Sequence, residues 1–128
     1  MDQPRNRFDM FLENFFNVEI YFFSSKTVQH EKWGHAYGEK FGTRLHLYFE
    51  AWEVISKHRE KFRLTSSQLD QLQKLYDMVY AFQLAHDYPT QPRAYQVLLS
   101  NPEWHKIQRY AGQLYNTIGL ELYPSSVS

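Results

Sequence analysis

Residues 8–23, FDMFLENFFNVEIYFF, decide the fold class of this chain. Their apolar members recur at spacings of three, four and seven, the period of an α-helix with one buried side. These members are Phe8, Phe11, Leu12, Phe15 and Phe22. Pro4 suits the first turn of such a helix, because a first-turn N–H has no intrahelical partner and its loss costs little. We therefore predict a first helix over about residues 4–23.

The second half of this stretch is apolar around nearly the whole circumference of the predicted helix. A helix of a four-helix bundle usually buries only one broad stripe, and a 128-residue chain has few other helices to surround it. We therefore expect a second copy to cover the excess, most simply in a two-fold homodimer. The predicted interface consists of Phe15, Phe16, Ile20, Phe22 and Phe23. A short buried strand over residues 18–23 is the competing interpretation, since short apolar runs are ambiguous.

The remaining sequence predicts further helices by the same criteria. They cover about residues 28–61, 66–86, 93–99 (a short one) and 102–119. Asn101-Pro102-Glu103 is a strong start signal, in which a capping residue is followed by a first-turn proline and an early acid. Thr27 is a cap candidate for the second helix, and Gly119 suits the end of the last one. The predicted fold is all-α: a single domain, residues 1–128, with four main helices, one short helix and frayed ends at about 1–3 and 124–128.

Composition narrows the classes of function. Hydrophobic residues make up 43% of the chain and aromatic residues 18%, and such an aromatic surplus raises the expectation of a partner surface or ligand pocket. The 14 basic and 14 acidic residues balance, which argues against nucleic-acid binding because phosphate contacts need excess positive charge. No apolar run is long enough to span a membrane, and no segment resembles a secretion signal. Cysteine is absent, which suits a reducing compartment, so we expect a cytoplasmic location.

A glycine stripe is the most distinctive motif of the chain. Gly34, Gly38 and Gly42 stand four residues apart, so on a helix they share one side. Beside them run Trp33, Tyr37 and Phe41. Because each glycine inside a helix costs about 1 kcal/mol relative to alanine, the segment needs a compensating role. Close approach of another helix, an irregular or kinked backbone, and a groove for a planar or apolar ligand are the three interpretations. The sequence does not identify a cofactor for this groove.

Histidine and carboxylate recur at a spacing of four within the second predicted helix. The pairs are His35 with Glu39 and His46 with Glu50, residue types that bind zinc or iron. The two histidines are eleven residues apart, about 16 Å along a helix axis, so they cannot share one ion. We therefore expect a solvated face and no metal. We also expect no catalytic residues, because the chain lacks cysteine and any nucleophile or phosphate-binding motif.

Three functional hypotheses follow in order of preference. The first is a non-enzymatic helical interaction or regulatory module that self-associates through an aromatic-rich face and binds a protein partner. The alternative is a small-molecule or cofactor-binding protein that uses the glycine stripe and its aromatic neighbours. The third is a metal-dependent enzyme on the histidine and glutamate side of the second helix.

Overall fold

The computed structural model describes residues 7–25, 27–29, 41–62, 64–85 and 99–122. Of these residues 92% are helical and none lies in a strand, so the predicted all-α fold is confirmed. Residues 18–23 are helical as well, which rules out the competing strand. The predicted frayed ends lie outside the described residues.

The N-terminal helix has three consecutive parts. They are α1 (Arg7–Asn14), a π-helical segment (Phe15–Ile20) and α2 (Tyr21–Ser24), and together they form the N-terminal helix. The Tyr21 N–H donates to the Phe16 carbonyl five residues earlier, the hydrogen bond that defines a π-helical turn. Two pairs of adjacent residues, Phe15–Phe16 and Glu19–Ile20, are buried along this segment.

The rest of the described chain forms three further long helical runs. In chain order the elements are α3 (Phe41–Lys57), a 3-10 turn (Arg59–Lys61), α4 (Ser66–Ala85), α5 (Pro102–Leu114), a second π-helical segment (Tyr115–Gly119) and α6 (Leu120–Leu122). The second predicted helix is seen only in part, since residues 30–40 are outside the described ranges. The short helix predicted at 93–99 is likewise undescribed apart from Leu99, which is helical.

The prediction that Gly119 ends the last helix is wrong. It lies inside the second π-helical segment, and α6 follows directly. A Cβ atom added at Gly119 would lie 3.6 Å from Cδ1 of Phe16, an ordinary van der Waals distance, so the two π-helical segments pack closely here without requiring glycine. The rings of Tyr21 and Tyr115 extend the same contact, with centroids 5.3 Å apart.

Local capping explains where the helices begin. Thr65 and Gln68 form a reciprocal capping box before α4: the Gln68 N–H donates to the Thr65 hydroxyl, and the Thr65 N–H donates to the Gln68 side chain. The Asn101 side chain accepts from the Glu103 N–H at 2.8 Å, as its sequence signal predicts. At the turn over residues 27–29 the capping hydroxyl belongs to Ser25 rather than to the expected Thr27.

Trp104 of α5 lies at the centre of the core and is fully buried. Its ring packs against the rings of Phe23 in the N-terminal helix and Phe82 in α4, with ring centroids 5.8 and 5.2 Å apart respectively. Tyr48 of α3 joins the same cluster because its ring packs on that of Phe23, with ring centroids 4.8 Å apart. Aromatic residues from all four long helices therefore meet in one core.

The side chain of Gln29 provides the polar contact that organises this core. It is fully buried, and its amide N–H groups donate to the carbonyls of Phe22 and Phe23 at 3.0 and 2.9 Å. Its amide oxygen accepts from the Trp104 indole N–H at 3.0 Å. The Phe22 carbonyl also accepts from the Ser25 N–H at 3.3 Å. Gln29 therefore adds hydrogen bonds to the last turn of the N-terminal helix while it joins this helix to α5.

We predict that Gln29→Leu lowers the free energy of unfolding by roughly 2–4 kcal/mol, because at similar side-chain volume it removes the hydrogen bonds to the Trp104 N–H and to the Phe22 and Phe23 carbonyls. Chemical denaturation followed by tryptophan fluorescence measures the change. Gln113→Leu, at an exposed position of α5, is the matched control and should change the value by less than about 0.5 kcal/mol. Equal effects of the two substitutions would show that the Gln29 network contributes nothing specific.

Candidate functional site

The five residues predicted to form a dimer interface lie in the chain's own core. Their exposed fractions run from 0 to 3%. The residues concerned are Phe15, Phe16, Ile20, Phe22 and Phe23. The chain itself therefore buries these five residues, because α3, α5 and the second π-helical segment pack against this part of the helix. Met10, Phe11, Val18 and Tyr21 of the same helix stay exposed. Self-association remains a prediction, but it needs a different surface.

The glycine stripe is largely outside the described ranges. Trp33, Gly34, Tyr37 and Gly38 are not described, and the backbones of Phe41 and Gly42 form the first turn of α3. The three interpretations of this motif, including the ligand groove, stay predictions.

The histidine and glutamate pairs are only partly visible. His35 and Glu39 lie outside the described ranges. His46 Nε2 and Glu50 Oε1 are 3.0 Å apart on the surface of α3, with side chains 70% and 60% exposed. Among the residues that the structure describes, no three His, Cys, Asp or Glu side chains are grouped as metal ligands. His46 and Glu50 therefore form a solvated i,i+4 pair, which contributes a few tenths of a kcal/mol at most.

A cluster of aromatic side chains reaches the surface between α3 and α4. Tyr76 and Tyr80 of α4 stack with their planes 10° apart and their ring centroids 6.1 Å apart. Phe49 of α3 packs edge-to-face against both rings, with its centroid 5.2 Å from that of Tyr76 and 6.0 Å from that of Tyr80. Leu84 continues the same side of α4 at the next four-residue step. We call Phe49, Tyr76, Tyr80 and Leu84 the aromatic face.

Solvent exposure sets the aromatic face apart from the core beneath it. Tyr80 is 43% exposed and Leu84 is 70% exposed, the largest fraction among the exposed large apolar side chains of the described chain. Tyr76 is half-buried, and its ring packs near the buried ring of Tyr48, with ring centroids 6.4 Å apart. The aromatic face is therefore an exposed apolar surface that packs on the core at Tyr48. Exposed apolar surfaces of this kind are common at partner-binding sites.

Carboxylates border the aromatic face. Burial raises the pKa of Tyr76 above its usual value, and the nearby Glu53, Tyr80 and Asp77 raise it further. Asp77 is oriented by a chain of hydrogen bonds, because Trp52 donates to Gln73 at 3.1 Å and Gln73 donates to Asp77 at 3.0 Å. The aromatic face is therefore an apolar surface with carboxylates at its edge.

A buried ion pair fixes α3 to the N-terminal helix. Arg44 Nη1 and Glu19 Oε2 are 3.2 Å apart, with side chains only 10% and 9% exposed. The guanidinium also lies over the Phe22 ring, 4.8 Å from its centroid.

Burial raises the pKa of Tyr48 well above its usual value, and Tyr76, Asp77 and Glu19 act in the same direction. This polar cluster links the core to the aromatic face through Tyr48 and Tyr76.

We predict that Glu19→Leu lowers the free energy of unfolding by about 3–5 kcal/mol, because it leaves the buried Arg44 cation without its carboxylate. The double variant Glu19→Leu with Arg44→Met should recover most of that loss, since no unpaired charge then remains. Urea denaturation measures both values. Lys106→Met, which breaks the exposed Lys106–Glu103 pair, is the control and should change stability by less than about 1 kcal/mol. A double variant as unstable as Glu19→Leu alone would contradict this account.

Among the described helices, none combines the length and the apolar character that a bilayer-spanning segment needs. Comparison of the chain with protein-family models, with curated proteins and with solved structures gives no significant match. The function is therefore argued from the chain's own residues.

The sequence contains one signal for the aromatic face. Tyr76, Tyr80 and Leu84 stand four apart on α4, which places a second apolar stripe beside the buried one. Only the position of Phe49 on the adjacent helix, however, turns this stripe into a surface of packed rings.

Proposed function

We propose that this protein is a non-enzymatic helical interaction module that forms a homodimer through its aromatic face. The observation that carries the proposal is the exposure of Tyr80 and Leu84 at 43% and 70% beside the packed rings of Phe49 and Tyr76. Large exposed apolar side chains that adjoin one another favour removal from water by a partner. Tyrosine is suited to such contacts, because its rigid ring buries a large area at low entropic cost.

Charge supports self-association rather than binding to nucleic acid. The net charge is zero at neutral pH, so two copies do not repel each other as whole molecules. The proposal includes a cytoplasmic location, which is supported by the absence of cysteine from the sequence.

Equilibrium sedimentation at micromolar concentration tests the proposal. We expect a species of twice the 15.5 kDa chain mass, and Leu84→Ser should weaken its formation about tenfold, because an anchor residue at an interface contributes more than about 1 kcal/mol. Met10→Ser is the matched control: Met10 is 58% exposed, but it lies on the N-terminal helix.

Two results would contradict the proposal. One is a 15.5 kDa species throughout the concentration range. The other is a dimer that Met10→Ser weakens and Leu84→Ser leaves intact, which would place the interface on the N-terminal helix.

A further inference from the structure

Along the outer side of α3, acidic side chains are followed by basic ones. Glu50 and Glu53 lie in the second half of the helix, Lys57 is its last residue, and Lys61 ends the following 3-10 turn. All four side chains are exposed. Glu50 pairs with His46, whereas Glu53, Lys57 and Lys61 have no ion-pair partner within the described part of the chain. Acidic charge thus precedes basic charge along one side of a single helix.

The same side of α3 has a shape that can receive another surface. A shallow concavity of about 750 Å³ is lined by Glu50, Glu53, Val54, Ser56, Lys57 and His58. Val54 is 41% exposed and supplies an apolar contact among these charges. Phe49, the α3 member of the aromatic face, lies beside Glu50 and extends the apolar area toward Tyr80.

The order of the charges makes this surface complementary to itself. If two copies of α3 lie antiparallel, the acidic part of each faces the basic part of the other. We propose that a second copy of this chain docks in this way about a two-fold axis, so that Glu53 of each copy pairs with Lys57 of the other. The inference rests on the proposed homodimer and names the arrangement of its subunits.

Geometry sets the register of the pairing. Glu53 and Lys57 are four residues apart, about 6 Å along the helix axis, so the two-fold axis passes between them and close to Val54. Glu50 then faces the turn Arg59–Lys61 of the second copy, in which the two cations Arg59 and Lys61 outweigh the acidic Glu60. Because the same patch serves both subunits, the contact closes at two copies and does not propagate into a filament.

Charge and apolar area have different roles in this arrangement. Single ion pairs between exposed groups are weak, so Glu53 and Lys57 determine orientation and register more than affinity. Val54 and the neighbouring Phe49 supply the apolar area next to the two-fold axis. The charge contribution is also screened by salt, since these side chains are exposed.

Charge reversal tests the inference by equilibrium sedimentation at low ionic strength. Glu53→Lys and Lys57→Glu each replace two attractive contacts with two repulsive ones, so each should weaken self-association at least about tenfold. An equimolar mixture of the two single variants should form a heterodimer, because every contact then joins opposite charges. The double variant Glu53→Lys with Lys57→Glu should also recover the dimer. Arg109→Glu, at an exposed site on α5, is the control and should have no effect.

The outcomes separate this inference from the proposed function. A parent dimer that both single reversals leave intact would overturn the antiparallel arrangement and retain the homodimer. A dimer weakened by the single reversals but not recovered in the mixture or the double variant would also overturn the pairing. A parent chain that stays monomeric at low salt would overturn both proposals. Far-ultraviolet circular dichroism of each variant shows that its helices are intact.

Discussion

The hydrogen bonds of Gln29 hold together the parts of the chain on which every other feature depends. Apolar packing alone is nondirectional, whereas a buried amide with three satisfied hydrogen bonds accepts only one arrangement of its neighbours. Gln29 fixes the end of the N-terminal helix against Trp104 of α5. The aromatic side chains then fill the space around this contact, and Phe23 and Phe82 pack directly on the indole.

Enclosure of the N-terminal helix determines what the molecule presents to solvent. The chain itself buries Phe15, Phe16, Phe22 and Phe23, whereas Met10, Phe11, Val18 and Tyr21 of the same helix stay exposed. A cluster of packed rings reaches the surface between α3 and α4. The Glu19–Arg44 pair anchors the inner side of α3, so its outer side is held at a fixed orientation. Interaction surfaces benefit from such support, because a rigid site loses little entropy on binding. The proposed homodimer therefore follows from the core, although it does not use the core residues.

Much of the fold was predictable from the sequence, because helical periodicity and capping are local properties. The heptad-like spacing in α4 and the Asn101-Pro102-Glu103 signal gave both helix type and helix start. The π-helical segments were not predictable in this way, because a one-sided apolar pattern does not distinguish i,i+5 from i,i+4 hydrogen bonds. The five residues predicted as an interface lie in the core because α3 and α5 pack against them, and this packing is a tertiary property. The aromatic face also depends on a contact between two helices, which no single periodic pattern reveals.

Amide hydrogen exchange during dilution tests most directly whether one chain by itself buries the core residues of segment 15–23. Exchange is measured for the amides of residues 15–23 across the concentration range in which the dimer dissociates. If the chain itself covers this helix, protection in that segment is the same in monomer and dimer, while the amides on the outer side of α3 exchange faster on dilution. Loss of protection at residues 15–23 on dissociation would contradict the account and return the interface to the N-terminal helix.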